Sequence, residues 1–349
     1  MSKKKNQHYV WKNYLKSWAN AKGQICCTRN GELLPASTNL DNLAVERYFY
    51  ELKPLNDDEY NYLSLFLHLR YPKSQATMLA YINTLQKTFS GKEDFIEAVE
   101  QISAFLGNDQ VPEECKEEYD RIIHWYDVET KNKIENHHTE EEHSAIPWLE
   151  SLKRQCYDFY LTDEPLSDWD VVTKDERFQF LRFLCTQHNR TKMMKDKMDV
   201  TFSALMSAPV VMNRLFTQKI DVKNLRADHL TYYSSFVHQL DTAERLYKNK
   251  ANITLLVNDT DLSFITSDQP VIDIFTDYHD EDNSLAGTCL YYPVSPQIAI
   301  TISYREKSDK LVLDERTVDM FNQRMFYSSY EYVFADRKDI LERCMKQSR

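Results

Sequence analysis

The sequence predicts an α+β fold, with a large helical body and one small, mainly antiparallel sheet built from an N-terminal hairpin and C-terminal strands. From about residue 55 to 250, apolar residues recur at the 3.6-residue spacing of amphipathic helices. From about residue 251 to 349, short runs rich in β-branched and aromatic residues replace that spacing. The Asn30-Gly31 dipeptide predicts a hairpin over about 24–36, because both turn positions tolerate a positive φ.

This hairpin decides the predicted domain organisation. Two isolated strands are not stable in water, and no other strand is predicted nearby in the chain. We therefore expect the hairpin to join the C-terminal sheet. That pairing would tie both ends of residues 1–349 into a single domain.

The helices are predicted from their apolar spacing and from the residues that end them. A short helix or turn, "HYVWKNYLKSWA", comes first. The helical body then comprises "DDEYNYLSLFLHLR", "SQATMLAYINTLQKTF", "KEDFIEAVEQISAFLG", "ECKEEYDRIIHWYDVETKNKI", "IPWLESLKRQCYDFYL", "KDERFQFLRFLCTQHNRTKMMKDKM" and "ADHLTYYSSFVHQLDTAERLYKNK". Glycine and proline mark predicted helix ends at Gly91, Gly107, Pro112, Pro147 and Pro165. The stretch "IENHHTEEEHS" is predicted to be a polar connection.

The C-terminal part is predicted to contain most of the sheet. The expected strands are "NITLLVND", "LSFITS", "PVIDIF", "TCLYYPV" and "QIAITISY". A helix, "ERTVDMFNQRMFYSS", a strand, "YEYVFAD", and a last helix, "RKDILERCMK", complete the chain.

Composition excludes several classes of protein. With 42% hydrophobic and 13% aromatic residues, the 349-residue chain can build a substantial core and is not globally disordered. Only 5 glycines are present, and neither GxGxxG nor GxxxxGK[ST] occurs, which excludes Rossmann and P-loop nucleotide sites. The net charge of −11 argues against nonspecific nucleic-acid binding by the whole surface, although a local basic groove is compatible with it.

The cysteines and the apolar runs predict a cytoplasmic protein with no membrane association. The 7 cysteines are scattered without the spacing of a disulfide framework or a zinc ribbon, which suits reduced thiols. The start, "MSKKKNQHYVW", lacks the apolar region of a signal peptide. Apolar runs such as "SAPVVM" are too short to cross a bilayer.

An interrupted strand gives the first candidate site. In "FITSDQPV", Asp268 follows a fully apolar run and precedes Pro270. A carboxylate at the end of a buried strand is well placed to bind a metal or to act as a base at the mouth of a cleft. The alternative is a turn in which Ser267 and Asp268 accept bonds from backbone N–H groups.

Two helices suggest partners for this carboxylate. In "RFQFLRFLCTQHNRT", Gln187 and Arg190 continue the apolar face of Phe183, so Arg190 is predicted to point inward. In "YLSLFLHLRYP", Arg70 continues the stripe of Leu63 in the same way. A shared anionic partner would explain both arginines. The candidates are Asp268, Glu46 and a bound phosphate.

These motifs together resemble a bacterial family catalogued as domain of unknown function 4238. The resemblance rests on "QHYVWKNYLKSWA", "NLAVERYFY", an "RTK" that ends a helix, "FITSDQPV" and "YYPVSPQIAITIS", and it covers nearly the whole chain. Family members begin His-Tyr-Val-Pro, whereas Trp11 stands here in place of the proline. The resemblance implies no activity. The matching positions are His8, Tyr9, Glu46, Tyr50, Arg70, Gln187, Arg190, Thr191, Ser267, Asp268 and Pro270.

The first functional hypothesis is a metal-dependent hydrolase of phosphodiester bonds in nucleic acid or nucleotides, acting in stress or phage defence. Glu46 and Asp268 would hold Mg²⁺ or Mn²⁺, and His8 would act as general base. The ligand-binding residues would be Arg70, Gln187, Arg190 and Ser267.

Two alternatives compete with the hydrolase. One is a non-catalytic sensor or binding protein that recognises an anionic ligand or a partner protein. The other is a satisfied buried network that specifies the fold. An open cleft around His8, Glu46, Arg190 and Asp268 would favour hydrolysis or binding, and a sealed cluster would favour the network.

Overall fold

The structure, a computed structural model, describes residues 3–35, 38–72, 74–107, 110–156, 175–274, 289–304 and 310–347. Some predictions fall outside these ranges. They are residue 36 of the hairpin, residues 157–161 of one helix and residue 174 of another, the helix end at Pro165, residue 275 of one strand and residue 288 of another.

The chain forms two compact units, each assembled from three segments. The helical unit comprises Met1–Gln7, Arg47–Thr139 and Lys197–Val237. The β-containing unit comprises His8–Glu46, Glu140–Asp196 and His238–Arg349. Neither unit is a continuous stretch of chain.

The helices and strands lie in the following order. The helices are α1 (Lys12–Leu15), α2 (Asp57–Arg70), α3 (Gln75–Phe105), α4 (Glu113–Lys153), α5 (Glu176–Asn189), α6 (Lys192–Ser207), α7 (Pro209–Thr217), α8 (Ala227–Lys248), α9 (Glu315–Tyr327) and α10 (Lys338–Gln347). The strands are β1 (Asn6–His8), β2 (Cys26–Arg29), β3 (Glu32–Leu33), β4 (Val45–Arg47), β5 (Asn252–Asn258), β6 (Thr266–Ser267), β7 (Ile272–Asp273), β8 (Cys289–Pro293), β9 (Ile298–Ser303), β10 (Lys310–Leu313) and β11 (Tyr332–Ala335). The α+β prediction is confirmed.

In the helical unit, α2 begins with a capping box. The Asn56 side chain accepts from the Glu59 amide, and the Glu59 carboxylate accepts from the Asn56 amide. The same carboxylate is buried and accepts two bonds of 2.8 Å from the Arg226 guanidinium. One acidic residue therefore starts the helix and holds a distant part of the same unit.

The single predicted sheet is in fact divided. A five-stranded sheet has the order β10-β5-β9-β8-β7, a four-stranded sheet has the order β3-β2-β11-β6, and β1 pairs with β4. All pairings in the two larger sheets are antiparallel except that of β10 with β5. Of the predicted strand "LSFITS", only Thr266 and Ser267 form a strand, β6, and it pairs with β11 in the four-stranded sheet.

The predicted role of the hairpin is confirmed. Asn30 and Gly31 have φ angles of 50° and 78°, the left-handed conformation that a two-residue hairpin turn requires. Strand β2 pairs with β11, with Arg29 opposite Tyr332 and Cys26 opposite Ala335. The two ends of the chain therefore share one sheet.

The core of the β-containing unit lies between its strands and the C-terminal helices. Asp314 caps α9 by accepting from the Thr317 amide at 2.8 Å. The buried apolar cluster includes Phe264, Ile265, Tyr291, Val318, Met325, Val333 and Leu341. On α5 a buried face includes Phe178, Leu181, Phe183, Leu184 and Cys185.

Several local predictions are wrong. The stretch 134–144 is not a polar connection but part of α4, which also continues past Pro147. Helix α3 runs through Gly91, and the predicted helix over 174–198 is divided at Arg190 and Thr191. Strands β1, β4 and β10 and helix α7 were not predicted. Within the described ranges, no helix combines the length and the apolar character that a bilayer span requires.

Candidate functional site

A polar cluster surrounds three consecutive residues, Arg190, Thr191 and Lys192, where α5 ends and α6 begins. Helix α5 stops here, with Arg190 at its C-cap. Each of the three side chains reaches a different segment of the β-containing unit. We call these residues and their partners the polar cluster.

Arg190 holds the N-terminal segment and α4. Its guanidinium donates to the Glu142 carboxylate and, at 2.6 Å, to the carbonyl of His8. Arg190 is buried, which confirms the prediction that it points inward. Burial raises the pKa of Glu142, and the charge of Arg190 offsets part of that rise. The pair is therefore a desolvated ion pair.

Thr191 holds the segment that contains the interrupted strand. Its hydroxyl donates to the Gln269 side-chain oxygen. The Gln269 amide nitrogen donates in turn to the carbonyl of His188 at 2.9 Å. The end of α5 is thus fastened to the Thr-Ser-Asp-Gln-Pro segment by side chains that are themselves buried.

Lys192 lies between two carboxylates. Its ammonium is 2.8 Å from Glu46 Oε1 and 2.7 Å from Glu331 Oε1. Burial alone would lower the pKa of Lys192, but Glu331 and Glu46 outweigh it and raise the pKa. Burial alone would raise the pKa of Glu331, but Lys192 and Arg29 hold it below the usual value. Lys192 and Glu331 are therefore both charged at neutral pH.

Asp268 is bonded to the backbone of β11 and the residues before it. Its Oδ1 accepts from the Tyr330 amide at 2.8 Å, and its Oδ2 accepts from Glu331 at 2.6 Å and Tyr332 at 3.0 Å. The side chain is 2% exposed, so it does not stand at the mouth of a cleft as expected. Burial raises the pKa of Asp268, and the three amides offset only part of that rise.

Ser267 completes the turn that the sequence offered as an alternative to a site. Its hydroxyl donates to the carbonyl of Gln269 at 3.0 Å and accepts from the Gln269 amide at 3.1 Å. Ser267 is fully buried. Its hydroxyl therefore supports the bend that carries Asp268 to β11.

His8 borders the cluster through both its backbone and its ring. Its Nδ1 lies 3.1 Å from the carbonyl of Leu43, and the ring is half-buried. Burial lowers the pKa of His8, with Lys12 and Arg190 adding to the effect and the Leu43 carbonyl opposing it. The imidazole is neutral at pH 7. Glu46 is the more accessible neighbour, with 41% of its side chain exposed.

The remaining predicted site residues lie in different surroundings. Gln187 is buried as expected, and within the described part of the chain its Nε2 has no hydrogen-bond partner. Arg70 is the last residue of α2, in the helical unit, and it is exposed. The buried stripe of Leu63 and Leu67 therefore ends before Arg70.

The positions that carry the family resemblance supply much of this cluster. A family model described as "Protein of unknown function (DUF4238)" matches residues 6–339. The chain belongs to this family. No curated protein and no solved structure shows significant similarity to it. In this DUF4238 protein, Arg190, Thr191, Ser267 and Asp268 of the motif all make buried hydrogen bonds.

The predicted magnesium or manganese ligands do not fit a metal site. Both oxygens of Asp268 are taken by three backbone amides, and an oxygen of Glu46 pairs with Lys192. Among the described residues, no group of three or more His, Cys, Asp or Glu side chains could hold a metal ion. The Lys192 ammonium therefore supplies the positive charge beside Glu46 that a metal ion was expected to supply.

The sequence argument missed Glu142, Lys192, Gln269 and Glu331. For Glu142 a signal existed, because it falls three and seven residues before the buried Ala145 and Leu149 on one helix face. Lys192 was not predicted as a site residue, although it begins α6 and pairs with Glu331. Nothing in the local pattern distinguishes Glu331 from a solvated carboxylate.

A separate cleft of about 470 Å³ lies in the β-containing unit, between the end of β7 and α9. Asp273 and Ile274 form one wall, and Met320, Arg324 and Tyr327 contribute to the other. Met320 is 50% and Tyr327 64% exposed. The cleft thus presents apolar surface together with charges of both signs.

Proposed function

We propose that this DUF4238 protein is a non-catalytic binding protein whose cleft between β7 and α9 takes up an extended segment of a partner protein. The observation that carries the proposal is the contrast between two sites. The polar cluster is occupied by its own ion pairs and backbone bonds, whereas the cleft combines volume with exposed apolar side chains. Ligand sites commonly have about 300–1,000 Å³ and a few polar groups on apolar walls.

The position of the cleft favours a polypeptide. Among the described strands, β7 is the last strand at its end of the five-stranded sheet. A groove between an end strand and a helix can bind an extended peptide, because the strand offers backbone groups and the helix offers side-chain pockets. Here Met320 and Tyr327 would contact an apolar side chain.

A peptide-display selection tests this proposal directly. Selected peptides are titrated against the full chain by fluorescence anisotropy. We expect Met320→Asp to weaken their binding at least tenfold, because it places an unpaired charge against apolar surface. Val210→Asp is the control, since Val210 is likewise an exposed apolar residue but does not line the cleft. Selected peptides that bind Met320→Asp as well as the wild type would contradict the proposed site.

The hydrolase hypothesis predicts catalytic turnover, and a second experiment tests for it. The wild-type protein and the Glu46→Gln variant are each incubated with RNA, DNA and nucleotides in the presence of Mg²⁺ or Mn²⁺. Glu46 is partly exposed, so this change leaves the buried part of the cluster in place. We expect no turnover that depends on Glu46. Turnover by the wild type that a normally folded Glu46→Gln protein lacks would refute a non-catalytic role.

A further inference from the structure

Strand β10 is an exposed apolar strand at the opposite end of the five-stranded sheet from β7. It pairs with β5, and among the described strands nothing pairs with its other side. Val312 is 65% and Leu311 37% exposed, whereas β9, deeper in the same sheet, is buried along its whole length. An apolar end strand is a template for pairing with another strand.

The sequence of this edge is complementary to itself. The run "KLVLD" covers residues 310–314, with one charge at each end and Val312 at its centre. In an antiparallel pairing of two copies about Val312, Lys310 of each chain stands opposite Asp314 of the other. Leu311 stands opposite Leu313, and Val312 stands opposite itself. Every directly opposed pair is then either apolar or of opposite charge.

Other arrangements lose this match. A parallel pairing in register would place the lysines beside each other and the aspartates beside each other. A shift by one residue would place Lys310 opposite Leu313 and would move side chains to the other face of the sheet. Lys310 and Asp314 are both exposed. Lys310 donates to the Gln155 side chain at 2.6 Å, and Asp314 caps α9.

We propose that β10 pairs antiparallel with β10 of a second copy across a two-fold axis centred on Val312. Such an axis makes the interface use the same patch on both chains, as in most homodimers. Two five-stranded sheets would join into one continuous sheet of ten strands. The proposal rests on the edge strand alone and is independent of the function proposed for the cleft.

The test is a charge swap followed by mixing, read by sedimentation velocity over a hundredfold range of concentration. The full-length wild type is expected to dimerise. Lys310→Glu opposes Asp314 with a second carboxylate, and Asp314→Lys opposes Lys310 with a second ammonium. Each variant alone should therefore raise the dissociation constant at least tenfold. Mixing the two variants should restore the dimer, because both charge pairs are then opposite in sign.

The mixing step also guards against misfolding, since only folded chains can recover a dimer together. Val312→Lys places two ammonium groups at the axis and should give a monomer that no mixture rescues. Lys338→Glu is the control, because Lys338 is an exposed lysine of the same unit away from β10. A wild type that stays monomeric throughout would overturn the proposal. A dimer that Lys310→Glu and Val312→Lys leave unchanged would overturn it as well.

Discussion

Replacing Arg190 by methionine should destabilise the protein through the loss of two buried hydrogen bonds. The guanidinium donates to the Glu142 carboxylate and to the His8 carbonyl, and its side chain is 2% exposed. Both bonds have the charged guanidinium as donor, and a hydrogen bond that involves a charged group contributes about 1.5–3 kcal/mol. We therefore expect Arg190→Met to lower the free energy of unfolding by about 3–4 kcal/mol, close to the range for breaking a buried ion pair.

Variants of Arg190 and of Glu142 should differ in how their free energy of unfolding depends on pH. Without Arg190, Glu142 can take up a proton, and burial already raises its pKa in the wild type. Its folded pKa then lies above its unfolded pKa, so the protonated form stabilises the fold at low pH and this contribution is lost as pH rises. Arg190→Met should recover stability between about pH 8 and pH 5. Glu142→Leu should show no such recovery of stability, because Arg190 stays protonated at both pH values.

Urea unfolding of the single and double variants at both pH values measures these effects. Arg343→Met is the control, since Arg343 pairs with Glu315 at 2.7 Å in an exposed setting and its loss should cost at most about 1 kcal/mol. The double variant Arg190→Met/Glu142→Leu should regain most of the lost stability. Equal losses for Arg190→Met and Arg343→Met, or a double variant as unstable as the sum of its parts, would refute this account.

Three further predictions concern other parts of the β-containing unit. Asp268→Asn should cost about 2–4 kcal/mol in urea unfolding, because an amide cannot accept all three backbone bonds that the carboxylate accepts; a normal unfolding midpoint would refute this. Gly31→Ala should cost about 1–2 kcal/mol because φ is +78°, whereas Asn30→Gly should be tolerated; thermal melts in which the two variants are equal would contradict the turn geometry. Burial lowers the folded pKa of His8, so its contribution to stability is present above the unfolded pKa and lost as pH falls. His8→Gln should therefore flatten the decrease in melting temperature between about pH 7 and pH 5, and an unchanged slope would exclude His8 as its source.

The sequence predicted the elements whose local pattern agrees with their packing. Helix α9 begins at a capping Asp314 and buries Val318, Phe321 and Met325 at helical spacing, so pattern and structure coincide. The hairpin was predicted for the same kind of reason, since Asn30-Gly31 supplies both left-handed residues of its turn. Arg190 was predicted to point inward from its spacing to Phe183.

The errors arose where charged residues occupy buried positions. In α4 the buried face includes His138, Glu141 and Glu142, so apolar spacing alone missed the helix there. Glu142 is stabilised by Arg190, which lies far away in the chain. A hydrophobic pattern carries no information about such a partner. The same reasoning applies to Lys192 and its two carboxylates.

Asp268 shows the limit of site prediction from an interrupted strand. The sequence offered either a catalytic carboxylate or a turn, and both are compatible with an acid at the end of an apolar run shortly before a proline. The distinction depends on the amides of Tyr330, Glu331 and Tyr332, which approach from β11. Local sequence could not reveal that these donors are present.

The pairing of β2 with β11 has a consequence for synthesis of the protein on the ribosome. Arg29 is translated about 300 residues before Tyr332, its partner in the sheet. Until then β2 has an open edge, and the buried cluster that includes Val333 and Leu341 is incomplete. The β-containing unit therefore cannot finish folding before Leu341 has been synthesised, and nascent chains should depend on chaperones that shield exposed strands.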